Sequence, residues 1–412
     1  MAVLVMPMAR AFSNACRRGL LVALLTVPSL AIAEGIIDIR PYVAATMIYD
    51  DNVFRIHDRS QARALLGTDA TSDMTRRTEA GVDVDWKISR QHVRAGLNFN
   101  RNRYDRFDFL DSNGFSKSLA WDWRVGSHLG GELSVSESKS MSGFTEIRNP
   151  VLNERTSKRR LMSANWDFHP RWRLHVQRDE AEYENSLPSY RSSDREDVGH
   201  EAAIQYSTPE GDRIGLSMRE VEARYSSRDA FSTLVFGNGN RQRDLALNVA
   251  WNVTGMTRIG ARLARVERQY DELSERDMKA WAGRLTMDWQ PTGKTALSIS
   301  AVRDVYGVDD IAATYVQSDA LTIAPTWAPT AKLVVQARAS REKRSYQGDP
   351  GFLLGVLPQR EDRLNTASLT VSYTPHDKVQ MQLSWQKESR DSSSAGNGYD
   401  TDALNANVRV DF

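Results

Sequence analysis

The chain has 412 residues, with 54 Lys and Arg against 53 Asp and Glu, and 41% hydrophobic residues. A formal charge of +1 gives no general attraction to nucleic acid. No run of about 18 or more apolar residues lies beyond the N-terminus, which excludes helical membrane spans. A β-barrel is not excluded, because its strands alternate apolar and polar residues and keep the mean hydropathy low.

Residues 1–33 read as a secretory signal peptide. Arg10, Arg17 and Arg18 form its basic start, Gly19 to Leu30 its apolar stretch, and Ala31-Ile32-Ala33 a small-x-small cleavage site. The mature chain, residues 34–412, is expected to start at Glu34. It loses three arginines and no acid, so the charge moves from +1 to −2. Cys16 leaves with the signal, so the mature chain has no disulfide or thiolate chemistry.

From there one pattern recurs: about ten alternating residues, a short turn, about ten more, then a long polar loop. The turns include Ser89-Arg90-Gln91, Gly126-Ser127-His128, His169-Pro170-Arg171, Thr254-Gly255-Met256, Pro291-Thr292-Gly293 and Pro375-His376-Asp377. Before each short turn the apolar positions end in an aromatic. These are Trp86, Trp123, Trp166, Tyr206, Trp251, Trp289, Trp327 and Tyr373. Aromatics at one height beside short turns fit the periplasmic girdle of a membrane barrel. A soluble sandwich or propeller is the competing architecture, but its turns are less lopsided.

The count is eighteen strands in one antiparallel transmembrane β-barrel. Their starts fall near Ile37, Arg76, Gln91, Gly114, Leu129, Arg155, Arg171, Asp194, Arg213, Arg241, Thr257, Arg276, Lys294, Val316, Lys332, Arg360, Lys378 and Asp400. Pro325 weakens the fourteenth strand, so sixteen stays open. An even number puts both ends on the periplasmic side, with short turns there and long loops outside. Leu404, Ala406, Val408, Val410 and Phe412 alternate to the terminus, and Phe412 is the expected signal for the barrel-assembly machinery. A barrel of this size holds water. No plug domain separates Glu34 from the first strand, and residues 55–75 form the longest loop that could narrow the pore.

On the polar face Arg94, Asp122, Arg124, Asp167, Arg173, His175, Arg219, Arg262, Arg284, Asp288 and Arg338 are expected in the lumen. They either set the permeation path or pair across neighbouring strands. Higher up, Tyr104, Tyr183, Tyr225, Tyr270, Tyr306 and Tyr346 fall at odd offsets from outward residues, so unbulged strands turn them inward. A ring of tyrosines at the outer mouth would stack on sugars; β-bulges would instead re-aim the rings outward as an upper girdle. At the same height the outward positions become charged, as at Arg178, Glu180, Glu220, Glu222 and Arg265, so the strands rise past the acyl chains into the lipopolysaccharide.

No catalytic residue, metal site or cofactor is expected. His128, His169 and His376 lie in short turns. His175 alone points into the lumen near the membrane, where it lines a wall rather than catalyses.

The segment Tyr49-Asp50-Asp51-Asn52-Val53-Phe54-Arg55 resembles the Y-D-x-N-x-F-R segment of the β-barrel porin type 2 family. Within it the chain is most similar to the EpsL-like barrels encoded in exopolysaccharide operons. The resemblance implies export of an exopolysaccharide across the outer membrane, beside periplasmic polysaccharide export proteins. The alternatives are a diffusion porin for small solutes and, from a different class, a barrel enzyme acting on polysaccharide or lipopolysaccharide.

Overall fold

Strict alternation of apolar and polar residues makes strands along the whole chain. The structure, a computed structural model, describes residues 36–145, 149–348 and 359–412. The expected signal peptide lies outside the described residues. The first nine strands are β1 (Ile36–Asp50), β2 (Asp73–Ile88), β3 (Gln91–Tyr104), β4 (Ser112–Val125), β5 (Leu129–Met141), β6 (Glu154–His169), β7 (Trp172–Asn185), β8 (Arg195–Ser207) and β9 (Arg213–Arg224). The second nine are β10 (Gly239–Thr254), β11 (Thr257–Tyr270), β12 (Met278–Thr292), β13 (Thr295–Gly307), β14 (Tyr315–Thr330), β15 (Leu333–Gln347), β16 (Glu361–His376), β17 (Val379–Ser392) and β18 (Tyr399–Asp411). Each begins within three residues of its expected start, the largest gap being Asp73 against Arg76.

Every strand pairs antiparallel with its neighbours in sequence, and β1 also pairs with β18, from Tyr42 opposite Asp411 to Asp50 opposite Ala403. The sheet is therefore a closed barrel with no free edge. Pro325 stays inside β14, opposite Leu297 of β13. Lacking an N–H, it leaves a gap in the β14–β15 ladder between Ile323 and Thr326.

Two kinds of contact identify the concave face. Arg219 of β9 meets Asp179 of β7 at 2.8 Å, reaching over Gly199 of β8, where a Cβ would stand 2.7 Å from the guanidinium. Likewise Asn98 of β3 donates to the Tyr42 hydroxyl of β1 at 2.8 Å above Gly81, where a Cβ would strike the Tyr42 ring. Side chains two strands apart converge only on the inside of a curved sheet. The opposite parity carries exposed apolar residues, among them Leu97, Phe99, Leu119, Leu216, Met218, Leu245, Leu263 and Leu383. That surface is stable against acyl chains and unstable against water.

Five of the short hairpins share one construction. The register slips by one residue between Trp166 and His169, Asn252 and Thr254, Trp289 and Thr292, Trp327 and Thr330, and Tyr373 and His376. The side chain at the end of each slip then accepts the N–H two residues on: His169 from Arg171, Thr254 from Met256, Thr292 from Lys294, Thr330 from Lys332 and His376 from Lys378, at 3.1–3.3 Å. His169 and His376 therefore do the work of a threonine, capping a turn.

A 16-residue strand such as β2, at ~3.3 Å per residue and a tilt near ~40°, rises roughly 40 Å, well past an apolar band of about 25 Å. The excess is marked by outward ion pairs: Lys117–Glu137 at 3.2 Å, Lys158–Glu182 at 3.2 Å, Arg303–Asp319 at 2.6 Å and Lys387–Asp402 at 3.3 Å. These exposed pairs add roughly 0.2–1 kcal/mol each. They mark the height at which hydrocarbon has given way to polar headgroups.

Candidate functional site

The girdle aromatics all share the outward parity beside the short turns. Trp166, Trp251, Trp289, Trp327 and Tyr373 are exposed, and Trp86, Trp123 and Tyr206 are half-buried against neighbours, with Tyr206 packed 5.1 Å from Trp172 between ring centroids. The Phe412 N–H donates to the Pro41 carbonyl at 2.9 Å, at the seam where β18 meets β1.

Inside, the charged residues near the short turns mostly pair. Arg94 meets Asp122 at 3.0 Å and Arg173 meets Asp167 at 2.6 Å. His175 bonds Asn165 at 2.9 Å, and Arg262 donates to Asn248 at 3.2 Å. His175, Arg173 and Arg262 share a recess of about 440 Å³. Arg124 lines a neighbouring recess of about 550 Å³ with Asp122 and Asp167. Arg284, Asp288 and Arg338 take inward positions on β12 and β15, with no ion pair among the described residues. His175 is not alone: His92 also faces in, 2.8 Å from Asp85 and 3.5 Å from Asp122.

Two stretches of the inner wall are uncharged. Ser116 and Ser118 of β4 lie opposite Ser138 and Ser136 of β5. Ser368, Thr370 and Ser372 of β16 lie opposite Gln386, Ser384 and Gln382 of β17.

At the loop end, the segment Tyr49–Arg55 has a definite structural role. Asp50 accepts from the Asn52 N–H at 2.8 Å, from the Thr401 hydroxyl at 2.9 Å and from Arg55 at 2.8 Å. Asn52 closes a ring with Ile56, accepting its N–H at 2.9 Å and donating to its carbonyl at 2.8 Å, and also donates to the Asp400 carbonyl. Arg55 sits in the left-handed region at φ 57°. This knot turns Phe54 inward to 1% exposure. There Phe54 packs edge-on against Phe107 of the β3–β4 loop and Phe144 of the β5–β6 loop, each at 4.7 Å between centroids. Ile56, Ala62 and Leu110 complete the cluster. Ala62 belongs to α1 (Arg59–Leu66), whose start is capped by Asp58 and whose end by Gly67 at φ 70°. Hydrogen bonds from the Ser60 hydroxyl and the Gln61 amide hold the Asp58 carboxyl below the usual carboxylate range.

The β5–β6 loop also crosses the mouth. The Thr145 carbonyl accepts from Arg390 of β17 at 3.2 Å. Length alone singled out residues 55–75 as the narrowing segment. That segment does join the phenylalanine cluster through Ile56 and Ala62, but the crossing is made by the shorter loop through Phe144 and Thr145. A second group of loops is pinned by Arg276, 1% exposed, which donates to the carbonyls of Val235, Val308, Asp310 and Ala313 at 2.7–3.4 Å. Val235 lies in α2 (Ala230–Phe236).

Between the two groups lies a cavity of about 780 Å³. Tyr190, Tyr225, Tyr270 and Tyr306 line it with Arg155, Arg195, Asp197, Arg268, Asn185, Asn240 and Gln242. All six tyrosines expected in the lumen hold inward positions, but only Tyr225, Tyr270 and Tyr306 line this cavity. Tyr104 is drawn into the phenylalanine cluster, its hydroxyl 3.9 Å from the Met141 Sδ. The Tyr183 ring is stacked by Arg155 at 4.6 Å and Arg195 at 5.2 Å. Tyr346 is buried beneath Arg360, 4.4 Å from its ring. Tyr190 escaped the sequence pattern because it sits in the β7–β8 loop, where alternation says nothing; its hydroxyl accepts from Asn149 at 3.2 Å.

An apolar exterior, a girdle at one rim, a polar interior and loops folded into the other rim define an outer-membrane β-barrel of porin type. Residues 247–412 match the family model described as “Putative beta-barrel porin 2”, the family that the segment Tyr49–Arg55, outside that match, resembles. Among solved structures the fold is similar to a BenF-like porin from Pseudomonas fluorescens Pf-5, with a TM-score of 0.51 and 10% identity over 91% of this chain and 99% of that one. It is also similar to the siderophore receptor PirA from Acinetobacter baumannii, with a TM-score of 0.50 and 8% identity over 91% of this chain and 80% of that one. At such identities the likeness is one of fold. No curated protein matches the sequence.

Proposed function

We propose that this barrel is a passage for a carbohydrate polymer, an exopolysaccharide, across the outer membrane. The observation that carries the reading is the mouth cavity of about 780 Å³, walled by Tyr190, Tyr225, Tyr270 and Tyr306. Flat aromatic faces suit the C–H faces of sugar rings, and each phenol offers one donor and two acceptors. Below it, the serine and glutamine stretches of β4, β5, β16 and β17 trade hydrogen bonds with sugar hydroxyls for those with water. Such exchanges are nearly neutral in free energy, so a chain slides rather than sticks. The barrel guides and does no chemistry: it needs no cofactor, and the push comes from synthesis and periplasmic export proteins behind it.

The test is where the polymer goes when the gene is deleted. Loss of surface and released polysaccharide, with accumulation or arrested synthesis inside, supports export. Unchanged surface polymer rejects it and leaves the second reading, diffusion of small solutes. One observation favours that second reading: the crossing of the mouth between Thr145 and Arg390 suits small solutes better than a wide polymer.

A further inference from the structure

The charges around the mouth cavity do not cancel. Three guanidinium groups line it, those of Arg155, Arg195 and Arg268, against two carboxylates, Asp197 and Asp309. Both carboxylates are already engaged. Asp197 pairs with Arg195 at 2.9 Å, and Asp309 pairs with Arg228, whose side chain is buried behind the wall. Arg155 and Arg268 remain, and neither has a carboxylate within ion-pair distance among the described residues.

Both are nevertheless held in place. The Arg155 guanidinium lies over the Tyr183 ring, 4.6 Å from its centroid. Stacking engages the flat face of a guanidinium and leaves its edge N–H groups to bond something else. Arg268 gives its Nε and Nη2 to the Gln242 amide oxygen at 3.1 and 2.5 Å, which leaves the Nη1 side of the guanidinium toward a ligand. A neutral partner fixes the fork without discharging it. Two placed, uncompensated forks beside three tyrosine rings form a site for a ligand that is both ring-shaped and anionic.

We infer that the mouth receives an acidic carbohydrate, its carboxylates bound by Arg155 and Arg268 while Tyr225, Tyr270 and Tyr306 meet its rings. The inference rests on the carbohydrate passage proposed above and names its substrate class. Carboxylates take the arginine fork bidentately, with stronger hydrogen bonds than a neutral hydroxyl makes. The wall below is not uniformly basic. Arg284 and Arg338 lack acid partners, but Asp244, Asp288 and Asp304 likewise lack cations among the described residues. Selection for charge is therefore placed at the mouth, and the rest of the lumen is permissive.

The experiment is block of single-channel current by oligosaccharides of equal length, one of galacturonate and one of neutral glucose units, added to the loop side of the purified barrel in a planar bilayer. The expected result is block by oligogalacturonate at about tenfold lower concentration than by the glucan, weakening in high salt. In the Arg155→Gln, Arg268→Gln double variant the two sugars should block alike, and Arg155→Lys should keep much of the preference. Heat-modifiable migration checks that each variant is a folded barrel. Equal block of the wild type by both sugars overturns the acidic preference and leaves carbohydrate passage standing. A preference that survives in the folded double variant overturns the assignment to these arginines. Absence of block by either sugar overturns the carbohydrate reading itself.

Discussion

Arg390 of β17 donates to the carbonyl of Thr145 at 3.2 Å, joining a strand on one side of the mouth to a loop that starts six strands away around the wall. The same guanidinium pairs with Asp362, which is 0% exposed and is also held by Arg360 at 2.8 Å. The crossing is therefore anchored in a buried charge cluster, where the field between charges is little screened.

Arg390→Met should release the β5–β6 loop and raise single-channel conductance. Asp362 keeps Arg360, so the barrel should still form. Unchanged conductance from a heat-modifiable barrel would show that this loop is not the constriction.

Phe54→Ala removes the ring that both Phe107 and Phe144 pack against. Emptying such a site costs about 3–5 kcal/mol, and the loss should stay within the loops. Limited proteolysis of intact cells should cut the outer loops faster, while the unfolding temperature of the barrel stays the same. A lowered unfolding temperature would mean that the cluster braces the wall as well.

Replacing Tyr225, Tyr270 and Tyr306 together with alanine should weaken block of the channel by oligosaccharides several-fold and leave its ion conductance the same or higher. Replacing Tyr183 or Tyr346, which do not line the cavity, should change block much less. Equal effects from the two sets would refute a role for the rings that line the cavity.

His376→Thr should be neutral, because threonine caps the same turn at Thr254, Thr292 and Thr330. His376→Leu leaves the Lys378 N–H without its partner and should cost about 0.5–1.5 kcal/mol in thermal or urea unfolding. A large loss in the threonine variant would point to a role beyond the turn.

Deleting Phe412 removes the bond to the Pro41 carbonyl at the closing seam and an outward aromatic at the girdle height. Yield of heat-modifiable barrel in the outer membrane should fall. Normal yield would show that closure is secured by the rest of β18.

The strands were legible because period two and turn residues are local signals. The mismatches of two or three residues all fall at the loop ends, as at Asp73 against Arg76, where outward residues are charged and alternation fades. The inward placement of the six tyrosines followed from parity. Which rings line the cavity did not, because Arg155 covers Tyr183 and Arg360 covers Tyr346 only after neighbouring strands align. Phe144, Thr145 and Arg390 were invisible for the same reason. The loop and the strand meet across the mouth, and no spacing in sequence encodes a chord of the circle. The segment Tyr49–Arg55 was recognisable as a pattern, but its meaning needed Asp400, Thr401, Phe107 and Phe144 in place around it.

The shared construction of the five short hairpins has a consequence for how the wall can change. Each completes its own turn with its own slip and its own capping side chain, and leans on the turn beside it, as where Lys294 Nζ donates to the Pro329 carbonyl at 3.1 Å and Lys332 Nζ to the Pro375 carbonyl at 2.7 Å. They behave like the staves of a cask. One pair could be lifted out or added and the circumference would follow, while the joint between β1 and β18 still closed the ring.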